Sequence, residues 1–238
     1  MSSLYCMRHG QAGLRGNYDA LSETGRRQAM LLGEHLAGEK IVFQAFFTGG
    51  LTRQIETARE IQSAYERAGI PLPEPRVSPF WNEFDLTAVY EEIAPQLAAD
   101  NDDFRRDYEA LEREAADAQS AVHRRWTPSD IAVVKAWVGA HYPSKSESWI
   151  EFKDRVRGAF DSIAQFNSGE NIAISTSATP IAVWLGLALN LENPYIMRSA
   201  GVLYNASISI FRMRDNEPYV LMFNSIPHLT TPALRTFR

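Results

Sequence analysis

Arg8 and His9 stand side by side directly after the apolar run at residues 4–7, and Gly10 follows them. This pair has the chemistry of a phosphate site. A guanidinium is always charged and offers a planar fork of N–H donors that matches phosphate oxygens. An imidazole nitrogen can attack phosphorus and carry the phosphoryl group as a covalent intermediate. Taken alone, the tripeptide also fits a charged loop with a capping histidine. Two further segments resemble it in placement. Residues 48–53 and 176–180 each follow a predicted strand and lead into a helix, whose first N–H groups and dipole favour an anion.

The surrounding pattern specifies how these segments are held. Residues 4–7 read as a short buried strand. Ser22 is positioned to cap a helix that carries Ala29, Leu32, Gly33 and Leu36 on one face. Residues 41–47 predict a second strand, broken at Thr48-Gly49-Gly50, and a helix follows over 51–67. Residues 69–75 form a proline-rich loop, and 77–80 a short edge strand. After Asp85 only helices are predicted. Thr87 caps the first. Phe104, Tyr108, Leu111, Ala115 and Val122 stripe a longer one. Thr127-Pro128 opens a third, with Ile131, Val134, Val138 and His141 on one face. Residues 148–166 predict a further helix that buries Phe152, Val156, Ala159 and Ile163. A strand at 171–175 turns through 176–180 into an apolar helix, and 207–213 and 219–223 are the last strands.

Strands alternating with helices predict an α/β fold, a three-layer sandwich with a mostly parallel sheet and helices on both faces. The helical block at about 86–145 reads as an insertion near the active site, within a single domain spanning 1–238. In such sheets ligands bind beyond the carboxyl ends of the strands, which is where the three segments fall.

Several segments resemble the histidine phosphatase superfamily, the phosphoglycerate mutase-like proteins. They are Leu-Tyr-Cys-Met-Arg-His-Gly-Gln-Ala at 4–12, Asp19-Ala-Leu-Ser-Glu-Thr-Gly25, and Thr48-Gly-Gly-Leu-Thr-Arg-Gln-Ile-Glu-Thr-Ala58. Glu147-Ser148 with Phe152 and Arg155-Val156, Asn205-Ala-Ser207, and Phe223-Asn-Ser-Ile-Pro-His-Leu229 continue the likeness. The resemblance implies that His9 is the nucleophile and that Arg8 and Arg53 hold phosphoryl oxygens. It implies that Glu83, in Trp81-Asn-Glu-Phe-Asp85, is the general acid, and that Gln11 lies near the pocket rim. Asp85 is an alternative acid. These roles agree with what phosphoryl transfer needs: positive charge around the equatorial oxygens, an in-line nucleophile and a proton for the leaving group.

One segment departs from the family pattern, which carries a second histidine in a turn after the later strand. Ser177 stands at that place and Ala178 stands for the following glycine, as in a divergent subgroup lacking the second catalytic histidine. Ser177, Thr176 and Thr179 would supply neutral donors to phosphate, without the charge. Of the other histidines, His35 reads as solvated, and His123 and His141 as surface or lid residues. His228 reads as a packing residue with some prospect of replacing the missing charge.

Net charge is −5, which argues against a nucleic-acid binder. The lone Cys6 excludes an internal disulfide and reads as core. The N-terminus lacks a signal-peptide pattern and the most apolar stretch, 180–191, is too short to span a bilayer, so a cytoplasmic protein without membrane partners is expected. No metal-ligand spacing appears, and no cofactor or metal is expected. The expected partner is a small phosphorylated metabolite or a phosphoprotein, with a homodimer left open. The leading functional expectation is a phosphomonoester hydrolase with reduced or specialised activity. The alternatives are a non-catalytic phospho-ligand binding protein and a phosphoglycerate-type mutase.

Overall fold

The computed structural model describes residues 2–14, 18–163, 166, 169–214 and 217–237. In chain order the elements begin with β1 (Ser3–Arg8), α1 (Glu23–Gly38), β2 (Ala45–Thr48), α2 (Thr52–Ala68) and β3 (Arg76–Val77). Then come α3 (Leu86–Asp100), α4 (Asp102–Ala115), α5 (Pro128–Val138), α6 (Trp149–Arg157) and α7 (Ala159–Ile163). The chain finishes with β4 (Asn171–Thr176), α8 (Ala178–Leu189), α9 (Asn193–Gly201), β5 (Ile208–Arg214) and β6 (Glu217–Ser225). Two compact units result. One contains the described residues of 1–13, 17–83 and 156–237, and the other those of 84–155 together with Leu14.

The first unit is an α/β sandwich on a sheet of order β3-β2-β4-β1-β5-β6. The pairings β1–β4, β2–β4 and β2–β3 are parallel, whereas β1–β5 and β5–β6 are antiparallel. The sheet is therefore mixed, because the last two strands form a hairpin along one edge and need no crossover helix. Alternation along the strands sends residues to two apolar layers. Met7, Phe46, Ala173 and Ile208 pack with Leu32 and Leu36 of α1 and Ile61 and Tyr65 of α2. On the opposite face Trp184 of α8 packs against Phe211 of β5, with ring centroids 6.0 Å apart, and stacks on Phe160 at 4.6 Å. Burying both faces makes the central strands largely apolar: Leu4, Cys6 and Met7 of β1 are fully buried, and polar residues such as Ser175 and Thr176 gather at the carboxyl end of β4.

Local signals place several of these elements where the sequence predicts them. Ser22 caps α1, its hydroxyl accepting from Gly25 N at 3.1 Å. The second strand is shorter than expected, because residues 41–44 close the end of α1 instead of pairing. Lys40 adopts a left-handed φ of 55°, Ile41 N returns to Leu36 O, and Ile41 O accepts from Tyr65 Oη. Of the expected edge strand at 77–80, Val77 pairs within β3, and residues 79–81 form a short 3-10 turn begun by Pro79. The predicted helix at 148–166 is broken at Gly158 into α6 and α7, as the helix cost of glycine allows. Its expected buried residues Phe152, Val156, Ala159 and Ile163 are all buried. Helix α9 was not foreseen, although Pro194 near its start is a usable signal.

The second unit packs α3, α4 and α5 on one another. Asp85, not Thr87, caps α3, accepting from Ala88 N at 3.0 Å. Val122 lies in a separate 3-10 turn, because α4 ends at Ala115. Thr127 caps α5 in a reciprocal box with Asp130. The buried side of α5 holds Asp130, Val133, Val134 and Trp137, while Ile131 is 46% exposed, so the expected face is rotated. The reason is Trp137, which stacks on Phe84 at 4.3 Å and meets Trp149 at 5.4 Å. A large aromatic anchor outweighs one aliphatic residue in choosing which face is buried.

Candidate active site

The site grows from the carboxyl ends of β1 and β4. The backbone of His9 is held first. Its N–H donates to Thr176 O at 2.8 Å, and its carbonyl accepts from Ala206 N at 3.2 Å and Asn205 Nδ2 at 3.4 Å. The ring comes next. Nδ1 lies 2.7 Å from Gly10 O. A carbonyl only accepts, so Nδ1 carries the proton and Nε2 carries the lone pair. Arg53 Nε donates to that Nε2 at 3.2 Å. Burial, then the charges of Arg53 and Arg8, hold the His9 imidazole well below its ordinary pKa, so it is neutral at pH 7.

Arg8 is buried too, close enough for its charge to act on His9. Its Nη1 donates to Leu203 O, and its buried Nε has no hydrogen-bond partner within the protein. Burial opposes its charge most. Tyr18, which hydrogen-bonds it, and Glu83 favour the charge, and Arg53 opposes it. Arg53 rises from the first turn of α2, with its guanidinium 5.1 Å above the Tyr18 ring and its Nη1 3.2 Å from Asp19 Oδ1. Thr57, one turn on, accepts from Gly10 N at 3.1 Å and donates to Arg53 O at 2.8 Å. It ties the histidine loop to the arginine helix.

That loop is pressed onto α1. A Cβ on Gly10 would lie 2.2 Å from Gly25 O, and one on Gly25 would lie 2.1 Å from Gln11 O. Only glycine fits on either side of this backbone contact. Gln11, expected near a pocket rim, is buried against α1, with its Oε1 accepting from Ser22 Oγ at 2.9 Å. Gln28 lies beneath it, fully buried, accepting from Gln11 N at 2.7 Å and donating to Leu234 O and Thr236 Oγ1.

The third segment is also in place. Thr176 Oγ1 donates to Trp81 O at 2.6 Å, which commits its proton to holding the 79–81 turn. Ser177 is the N-cap of α8 and fully buried, its Oγ accepting from Gln54 Nε2 at 2.9 Å. Glu83 follows the same turn, and its Oε2 accepts from Thr179 N at 3.2 Å in the first turn of α8. Asp85, the alternative acid, is exposed and occupied in capping α3. The structure thus brings Arg8, His9, Arg53, Thr176, Ser177 and Glu83 into one network. It also brings in Tyr18, Asp19, Gln28, Gln54, Thr57 and Asn205, which sequence reasoning had not singled out. Asp19, Gln54, Thr57 and Asn205 lie inside the segments that resemble the superfamily, so their positions carried a signal. Gln28 carried none, because its side-chain acceptors Leu234 O and Thr236 Oγ1 lie about two hundred residues away along the chain.

Of the remaining histidines, His35 and His123 are less exposed than expected, whereas His228 packs and His141 is exposed as expected. His35 is half-buried, stacked on His228 with centroids 5.7 Å apart. His228 is buried, with neither ring nitrogen in a well-formed hydrogen bond, and burial, then His35, brings its pKa down to about 4. It is uncharged at neutral pH and supplies no positive charge to phosphate. His123 is buried, its Nε2 donating to Asp117 O at 2.9 Å. His141 is exposed.

The sequence profile of the histidine phosphatase superfamily (branch 1) matches residues 4–128 and 112–226. The chain belongs to this superfamily. Its fold is shared with YhfR of Bacillus stearothermophilus (TM-score 0.66, 18% identity, covering 96% of this chain and 99% of that one). A phosphoglycerate mutase from Bacillus anthracis gives TM-score 0.65 at 19% identity, covering 95% and 94% of the two chains. A phosphoserine phosphatase mutant from Entamoeba histolytica, solved with phosphoserine, gives TM-score 0.59 at 18% identity, covering 96% and 100%. No curated protein sequence matches the chain. Among the described residues no helix of this superfamily member is long and apolar enough to cross a membrane.

Proposed function

We propose that this histidine phosphatase superfamily member is a phosphomonoester hydrolase that works through a phosphohistidine on His9. The observation that carries this reading is the His9 ring itself. Its proton is held on Nδ1 by Gly10 O, and its lone pair at Nε2 faces the Arg53 guanidinium. A nucleophile needs that lone pair unprotonated, and burial beside two arginines keeps it so. Arg8 Nε is a buried N–H donor with no protein partner, at the place where a phosphoryl oxygen would meet it.

In the proposed reaction the entering phosphoryl oxygen takes the Arg53 Nε–H from Nε2, and the freed lone pair attacks phosphorus in line with the leaving oxygen. The N–P bond forms as the P–O bond breaks, and Glu83 gives its proton to the departing alkoxide. Water then attacks the phosphohistidine, Glu83 takes back a proton, and inorganic phosphate leaves. Arg8 and Arg53 hold charge on the equatorial oxygens, and Ser177 and the α8 N-terminus supply neutral donors. A hydrolase passes the phosphoryl group to water, whereas a mutase passes it to a substrate hydroxyl, and the test separates the two.

The test is turnover of an aryl phosphate by wild type and His9→Ala, with label from a radioactive phosphomonoester followed onto protein and product. Acid-labile protein label that chases into inorganic phosphate, with both label and turnover lost in His9→Ala, is the expected result. Label that moves to a second hydroxyl of the substrate would replace the hydrolase with a mutase. Phosphate binding with neither label nor turnover would replace it with a binding protein.

A further inference from the structure

Arg53 does not hold its own position. Its Nε meets His9 Nε2, and its Nη1 meets Asp19 Oδ1, so two of the three guanidinium nitrogens are fixed and the plane of the fork is set. Asp19 is itself anchored. Its Oδ1 accepts from Thr52 N at 3.1 Å and its Oδ2 from Thr52 Oγ1 at 2.5 Å. Leu51, the N-cap residue of α2, has no side chain able to cap, so Asp19 reaches in from another loop to do it. The Tyr18 ring beneath the guanidinium restricts its remaining tilt.

We infer that Asp19 is a positioning residue that aims Arg53 at the phosphoryl group on His9, at a cost in affinity for the anion. This rests on the phosphatase reading above. The two halves of the inference have opposite signs. A carboxylate on Arg53 Nη1 places negative charge within reach of a bound phosphate and neutralises part of the attraction. The same carboxylate removes the rotation that would let the guanidinium turn away from the in-line geometry, and misalignment slows phosphoryl transfer more than it weakens binding. Asp19 is about half exposed, so its charge can be removed or replaced from solvent without opening a cavity in the core.

The experiment compares wild type, Asp19→Asn and Asp19→Ala for inorganic phosphate affinity by calorimetry and for kcat on an aryl phosphate, with His9→Ala as the blank. Asp19→Asn keeps an acceptor for Thr52 N. It is expected to bind phosphate about five- to tenfold more tightly while kcat falls about tenfold. The gain in affinity is expected to vanish when Arg53→Ala is added. Formate, which can enter the gap left in Asp19→Ala, is expected to restore part of its kcat. An unchanged or raised kcat would overturn the inference and leave Asp19 a mere competitor for Arg53. Affinity and kcat falling together with the melting temperature would also overturn it, leaving a structural cap. Failure of the phosphatase reading looks different. Wild type would then show no His9-dependent turnover, and the alignment half of the inference would fall with that reading.

Discussion

Acidification is the perturbation whose effect follows most directly from the packing. His228 is buried against His35, and its pKa falls from 6.5 to about 4. Unfolding restores the ordinary value, so between pH 6.5 and 4 the unfolded chain binds more protons than the folded one. A histidine held neutral therefore contributes stability that is fully present above pH 6.5 and is lost as pH falls toward 4. The displacement corresponds to about 3 kcal/mol in total, of which about 2 kcal/mol is lost between pH 7 and 4.5. Other groups contribute to the pH dependence, since His9 too is held well below its ordinary value by burial, Arg53 and Arg8, so the useful quantity is the difference between wild type and His228→Phe. Phenylalanine keeps a ring against His35 and cannot be protonated. Urea unfolding at pH 7 and at pH 4.5 measures it. The wild-type midpoint is expected to drop by about 1 M more than that of the variant. Equal drops in the two proteins would show that His228 does not feel its burial, and the reasoning would fail.

Three further outcomes are expected. Glu83→Gln should slow alkyl phosphates about 10²–10⁴-fold and aryl phosphates far less, because a phenolate leaves without a proton; equal slowing, measured as kcat on the two classes, would reduce Glu83 to a binding or capping role. Ser177→His, combined with Ala178→Gly, should raise kcat on a simple monoester about tenfold or more by adding a charged donor. Failure of both this variant and Ser177→His alone, with both folded, would show that charge is not what limits the site. Gly25→Ala should cost about 1–3 kcal/mol by thermal unfolding and lower turnover as well. Its Cβ would lie 2.1 Å from Gln11 O, and the shift it forces falls two residues from His9; unchanged stability and rate would refute the close packing of loop on helix.

Much of the sheet was legible in the sequence, because it is written in short-range terms. Apolar runs ending in Arg-His-Gly, Thr-Gly-Gly and Ser-Thr-Ser mark the ends of β1, β2 and β4, and Ser22 and Thr127 mark helix starts through bonds three residues long. Arg8, His9 and Arg53 could be picked out for the same reason, since their chemistry is local and strand ends converge in a parallel sheet. The sheet order was not legible. Nothing within β5 or β6 states that they return as an antiparallel hairpin beside β1.

Tertiary structure alone decided the state of the site. The tautomer of His9 depends on its own neighbour Gly10, but its charge depends on burial and on Arg53, which stands 44 residues along the chain. Asn205 holds the His9 carbonyl and accepts from Thr236, and Gln28 links Gln11 to the same C-terminal segment. His228, read from sequence as a packing residue, is neutral because of what it is packed against. A residue type fixes which proton or lone pair is available. Desolvation and neighbouring charge fix whether it is available at pH 7, and both are properties of the folded arrangement that no local pattern encodes.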